Sequence, residues 1–120
     1  MRAVVKSMWV DSASIDLANY LPRDIELFGL WIGFRVGIKD KEGADDFRVF
    51  VCTPEWLKNS EKKAVWGRHM LIVDRYDLNL ITAELNSQVA NCVGEDWLTI
   101  AHALSKFAAW EFEDYKSMKF

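Results

Sequence analysis

The stretch Asp46–Leu57, DFRVFVCTPEWL, decides how this chain folds. Phe47, Val49 and Val51 alternate with Asp46, Arg48 and Phe50, a period of two that predicts a strand. The character then changes within two residues. The Thr53 hydroxyl can cap a helix. Pro54 suits the first helical position, where its missing N–H would be unpaired anyway, and Glu55 sits well against the helix dipole. Trp56 and Leu57 are then placed to fold back onto the strand's apolar face. A strand that runs straight into a capped helix with an aromatic anchor is an architectural corner, and it carries no reaction chemistry of its own.

Upstream, Leu27–Ile38 is the longest strand candidate. Phe28, Leu30, Ile32, Phe34, Val36 and Ile38 fill one face and predict core. The other face reads Leu27, Gly29, Trp31, Gly33, Arg35, Gly37. Glycine weakens a strand, so three of them at every fourth position need a reason. Two readings follow. Either Trp31 lies over its glycine neighbours and the sheet coils there, or the glycines leave a shallow trough that receives a peptide, a helix or a second copy of the chain. Lys39–Asp45, KDKEGAD, is a charged turn that joins this strand to the next as a hairpin. Before it come a short strand over Ala3–Val10 and a loop over Asp11–Arg23.

Downstream, Met70–Val73 is a compact apolar run and predicts a buried strand. Leu78, Ile81, Leu85, Val89 and Cys92 step by three and four and draw one helical stripe, with Asp77 as N-cap and Gly94 as the stop. A second helix opens with Glu95 and Asp96 in its first turn and carries Trp97, Ile100, Ala101, Leu104 and Phe107. Trp110–Tyr115, WEFEDY, alternates and predicts an extended edge segment. The expected fold is α+β: an antiparallel sheet of about four to five strands in the N-terminal half, packed against two C-terminal helices. Residues 1–120 make a single domain, long enough to bury about two-thirds of its surface without staples.

The net charge of −3 is unevenly spread. Met1–Arg75 carries 12 basic and 11 acidic residues, whereas Tyr76–Phe120 carries 3 basic and 7 acidic. An acidic C-terminal third is unfavourable towards nucleic acid and favourable towards a basic partner. No apolar run reaches the ~18 residues that a membrane helix needs, and the N-terminus has no signal-peptide pattern. Cys52 and Cys92 form no CxxC and read as small buried hydrophobes of a cytosolic protein.

No nucleotide loop, nucleophile elbow, zinc pattern or calcium loop occurs, so no catalytic residue, cofactor or metal is expected. A Cys52–His69 pair meeting in space, and a carboxylate site from Glu111, Glu113 and Asp114, are the two chemical alternatives. Each competes with a blander reading, buried thiol or solvated acidic face.

Taken together, the strand running into CTPEWL, the YDLNLI helix start, the Gly94–Trp97–Ile100 helix and the closing WEFEDY resemble the immunity protein 8 family of bacterial polymorphic toxin and contact-dependent inhibition systems. The resemblance covers roughly Leu27–Tyr115. It implies an α+β domain without catalytic residues that binds a cognate toxin domain in the cytoplasm and blocks it. Its toxin partners are diverse, so no toxin is named by it. Nuclease toxins tend to be basic, and charge complementarity speeds association. The expected contact residues are therefore the hairpin-tip carboxylates Asp40, Glu42, Asp45 and Asp46 together with Glu111, Glu113 and Asp114. The competing expectation is a non-catalytic module that holds a peptide or itself on the glycine-spaced sheet face.

Overall fold

A computed structural model describes residues 1–11 and 15–113. Strand β1 (Ala3–Val10) pairs antiparallel with β2 (Gly29–Ile38), and β2 with β3 (Asp45–Cys52). The hairpin tip between β2 and β3 turns through left-handed backbone at Asp40 (φ 64°) and Gly43 (φ 89°). Asp is one of the few side chains that tolerate this region, and glycine takes it freely.

The far edge of β3 is shared. Its C-terminal half pairs with β4 (Met70–Ile72) and its N-terminal half with β5 (Ala109–Trp110). The sheet is antiparallel throughout except for the three-residue β3–β4 pair, which is parallel. That exception follows from the corner after β3: the chain leaves through α1 (Pro54–Lys58), returns along a connecting loop and re-enters alongside β3. His69 makes the re-entry in left-handed backbone (φ 58°), and its carbonyl accepts the Phe50 N–H at 2.9 Å.

The corner itself forms as its residues require. The fully buried Thr53 hydroxyl accepts the Trp56 N–H at 3.3 Å and the Phe28 N–H at 3.5 Å, so one oxygen caps α1 and ties it to the start of β2. Two longer helices follow. In α2 (Leu78–Asn91), the Asp77 carboxylate caps the Leu80 N–H, and Ile81, Leu85 and Val89 are buried. Helix α3 (Trp97–Leu104) is capped by Asp96, which therefore lies just before the first turn and not within it. A Cβ at Gly94 would sit 2.7 Å from Thr99, so Gly94 lets the link between the helices pass close to α3.

Both helices bury their stripes with one face of the sheet. Phe34 and Phe47 stack at 5.8 Å at its centre, continued by Phe107 on one side and Trp110 on the other. Both Phe34 and Phe47 are essentially inaccessible to water. Truncating either to alanine in such a core typically costs about 3–5 kcal/mol. The sequence-based expectation of a buried strand over Met70–Val73 holds only in part. Val73 is buried, but Ile72 is half exposed because β4 lies on the sheet's rim.

Candidate functional site

The helices leave the second face of the sheet open. Alternation along the strands sends Trp9, Trp31, Arg35, Asp46, Arg48 and Phe50 to this face, with the glycines among them. The glycines are explained by tryptophans from elsewhere in the chain. A Cβ on Gly33 would lie 2.3 Å from the Trp9 indole, and one on Gly29 would lie 2.4 Å from the Trp56 indole. At Gly37 the obstruction is the Gly43 carbonyl, at 2.4 Å. The trough is therefore filled by Trp9 and Trp56, and Trp31 is not the residue that covers it. Trp31 instead tilts against Phe50 at 5.3 Å, and Phe50 against Trp56 at 4.8 Å.

Two arginines complete the face. Arg35 lies 5.7 Å from the Trp9 ring and donates two bonds to the Asp46 carboxylate, at 2.7 and 3.1 Å. Asp46 accordingly raises the Arg35 pKa, first by these bonds and then by its charge. Arg48 lies 4.5 Å from the Trp31 ring and reaches Asp11 at 3.4 Å. Exposed pairs of this kind add little stability. Their effect is to fix long side chains in place on a rigid aromatic floor.

At the β3–β5 edge the face drops into an open groove of about 630 Å³. Trp9, Asp11, Asp46, Arg48, Glu111 and Glu113 are among its lining residues. Four carboxylates and Arg48 line it, and Arg35 and Arg68 pair with Asp46 and Glu113 from its rim, which leaves an excess of one negative charge. Register creates it. The Glu111 carboxylate accepts the Asp46 N–H at 2.9 Å, while the Asp46 carbonyl accepts the Glu111 N–H at 3.1 Å. Glu113 meets Arg68 at 3.4 Å and lies 3.9 Å from the His69 ring.

The acidic residues expected to contact a partner are thereby sorted. Asp46, Glu111 and Glu113 come together in the groove. Asp40 and Glu42 stay exposed at the hairpin tip, apart from it. Asp45 points the other way: its carboxylate accepts the indole N–H of Trp97 at 2.8 Å and of Trp110 at 3.0 Å. It acts as an internal tie, a task that the charge run around it gave no reason to expect. Asp114 lies outside the described residues. Asp11 and Trp9 were missed as groove residues. The glycine spacing was the available signal for Trp9, since each gap calls for a large side chain above it.

The chemical alternatives fare differently. The Cys52 thiol is fully buried, and burial pushes its pKa up, away from a reactive thiolate. The His69 ring nitrogen sits 3.2 Å from the Ser105 carbonyl. Both cysteines are free thiols, and burial raises Cys92 as well. Glu111 and Glu113 turn to different partners, Asp46 and Arg68. Among the described residues no group of three or more His, Cys, Asp or Glu is arranged to hold a metal ion. Nor is any helix among them long and apolar enough to cross a membrane.

Residues 3–115 match the family model described as Immunity protein 8. The chain belongs to the Imm8 family. The Imm8 match extends the resemblance of Leu27–Tyr115 through β1, the strand that supplies Trp9 to the open face. No curated protein and no solved structure matches this Imm8 chain. Membership makes it an immunity protein, a class whose members bind a cognate toxin protein and are in general not catalysts.

Proposed function

We propose that this Imm8 chain neutralises its toxin by forming a tight complex over the open sheet face, with a basic side chain of the toxin seated in the acidic groove. The observation that carries this reading is the convergence of Asp11, Asp46, Glu111 and Glu113 on one groove, where they outnumber the arginines that pair with them. The groove gathers carboxylates that are far apart in the chain and opens beside half-buried tryptophans and arginines, the residue types that dominate binding energy at interfaces. Asp40 and Glu42 at the hairpin tip add to the attraction at longer range. Asp114, next to Glu113 in sequence, adds a negative charge to this stretch of the chain. The toxin is a basic domain, as nucleases are, delivered by a contact-dependent or other polymorphic toxin system and met in the cytoplasm. Catalysis by the immunity protein plays no part.

The test begins with co-expression of this chain and the toxin domains of neighbouring genes, scored for restored growth. Stopped-flow association with the rescued toxin then compares the wild type with Asp40→Lys/Glu42→Lys/Glu113→Lys. These three side chains are chosen because the Glu111 carboxylate also ties β5 to the Asp46 backbone and the Asp46 carboxylate holds Arg35. We expect association at least about tenfold slower at low ionic strength, with the gap closing as salt rises. Association that is unchanged at all salt concentrations would remove the acidic groove from the reading.

A further inference from the structure

Five of the six tryptophans have an evident task within the fold. Trp9 and Trp56 fill glycine gaps, Trp31 tilts against Phe50, and Trp97 and Trp110 bond to Asp45. Trp66 has none. It is 92% exposed, and within the described residues it makes no hydrogen bond and no ring contact. It stands in the connection between α1 and β4, where residues 61–68 are all exposed. Val65 beside it is also open to solvent. A bare indole exposes one of the largest apolar surfaces a side chain can carry. Single exposed apolar side chains are ordinary, but an almost wholly bare tryptophan beside an exposed Val65 has the size and chemistry of an interface anchor.

The loop's position says what. Two residues after Trp66, Arg68 reaches across to Glu113, which lines the acidic groove. Next to Arg68, His69 starts the β3–β4 pairing. The loop is thereby moored to one wall of the groove, while Trp66 projects free of it. Lys62 and Lys63 precede it, so an apolar, basic element stands next to an acidic recess.

We propose that Trp66 anchors the toxin: the 59–69 loop forms a raised side to the binding surface, and the indole enters an apolar pocket of the toxin rimmed by carboxylates that face Lys62 and Lys63. This rests on the reading that the groove receives the toxin. The juxtaposition of opposite charges selects a folded protein of mixed charge. An anionic bilayer would attract the loop, but the acidic groove beside it and the net charge of −3 would oppose close approach. A second copy of the chain would have to place its own loop in the groove, which the toxin already occupies. Tryptophan is among the commonest residues at the energetic centre of protein interfaces, and its truncation there typically raises Kd about 30-fold or more.

The experiment uses the full chain and the toxin domain encoded by the adjacent gene. Trp66→Ala is expected to raise Kd about 30-fold or more, mainly through faster dissociation, with the thermal midpoint unmoved because the indole packs on nothing. Trp66→Phe should recover part of the loss. In protein labelled with 5-fluorotryptophan, the ¹⁹F resonance that Trp66→Ala removes should shift when toxin is added and lose its solvent-isotope effect. A wild type that binds the toxin while Trp66→Ala binds equally well overturns this inference and leaves the groove reading intact. A wild type that binds no toxin at all overturns both. Capture by phosphatidylglycerol vesicles, or a dimer seen by light scattering, that Trp66→Ala abolishes without loss of toxin affinity also overturns it.

Discussion

Gly33→Ala puts the reading of the open face under direct strain. The added methyl would lie 2.3 Å from two atoms of the Trp9 indole, where ordinary contact begins near 3.4 Å. The ring must therefore retreat by about 1 Å or swing out, losing its seat on β2 and its approach to Arg35. Overpacking of this kind costs about 1–3 kcal/mol. Against it stands a gain of about 0.5–1 kcal/mol, because alanine loses less backbone freedom in a strand than glycine. The net expectation is a loss of about 1–2 kcal/mol. In a Trp9→Ala background the obstruction is gone, and the same change should become stabilising by about 0.5–1 kcal/mol. The double-mutant cycle then yields a coupling of about 1.5–3 kcal/mol between positions that are paired across β1 and β2. Urea melts followed by far-UV circular dichroism measure it, and unchanged m-values keep the comparison valid. If Gly33→Ala destabilised both backgrounds equally, the glycine would answer to its own backbone and not to Trp9. If it were tolerated in the wild type, the face would hold the empty trough that the spacing of the glycines first suggested.

Two further outcomes follow from the carboxylates. Asp45→Ala removes the acceptor shared by Trp97 and Trp110 and should cost about 2 kcal/mol or more in chemical denaturation, since bonds to a charged group are worth about 1.5–3 kcal/mol each. An unaltered melt would show that the two indoles find other acceptors. Bonds from Thr99, the backbone N–H foremost, hold the Asp96 carboxyl below its ordinary value of 3.8. A group depressed in the folded state contributes stability above its unfolded pKa and loses it as pH falls through the folded one. Stability should therefore decline as pH drops below about 4, with a shallower decline in Asp96→Asn, as read from urea melts between pH 5 and 3. Parallel pH profiles would remove Asp96 from the account.

How much of this was legible in the sequence depended on the range over which each feature is determined. The corner at Cys52–Thr53–Pro54–Glu55–Trp56 was readable because capping, proline placement and strand alternation act within a few residues. The same holds for the hairpin, and for the Asp77 and Asp96 caps within one residue. The partners of the glycines were not readable. Gly33 is filled by a residue 24 positions upstream and Gly29 by one 27 positions downstream, and alternation says only that something large must arrive. The parallel β3–β4 pair was hidden because a three-residue apolar run carries no direction. The acidic residues separated into groove, hairpin tip and internal tie for a similar reason. Asp45 and Asp46 are neighbours in the chain, yet pleating sends one to the indoles and the other to the groove. Only the pairing of β5 with β3, across more than sixty residues, brings Glu111 to Asp46.

That late pairing gives the protein an order of assembly. Strands β1, β2 and β3 all precede residue 53, whereas the recess beside Arg48 lacks two of its carboxylates until Glu111 and Glu113 have been added. A nascent chain halted in α3 would hold the residues of four of the five strands and no finished groove. The groove thus depends on residues from both ends of the described fold, Asp11 before β2 and Glu111 and Glu113 after α3.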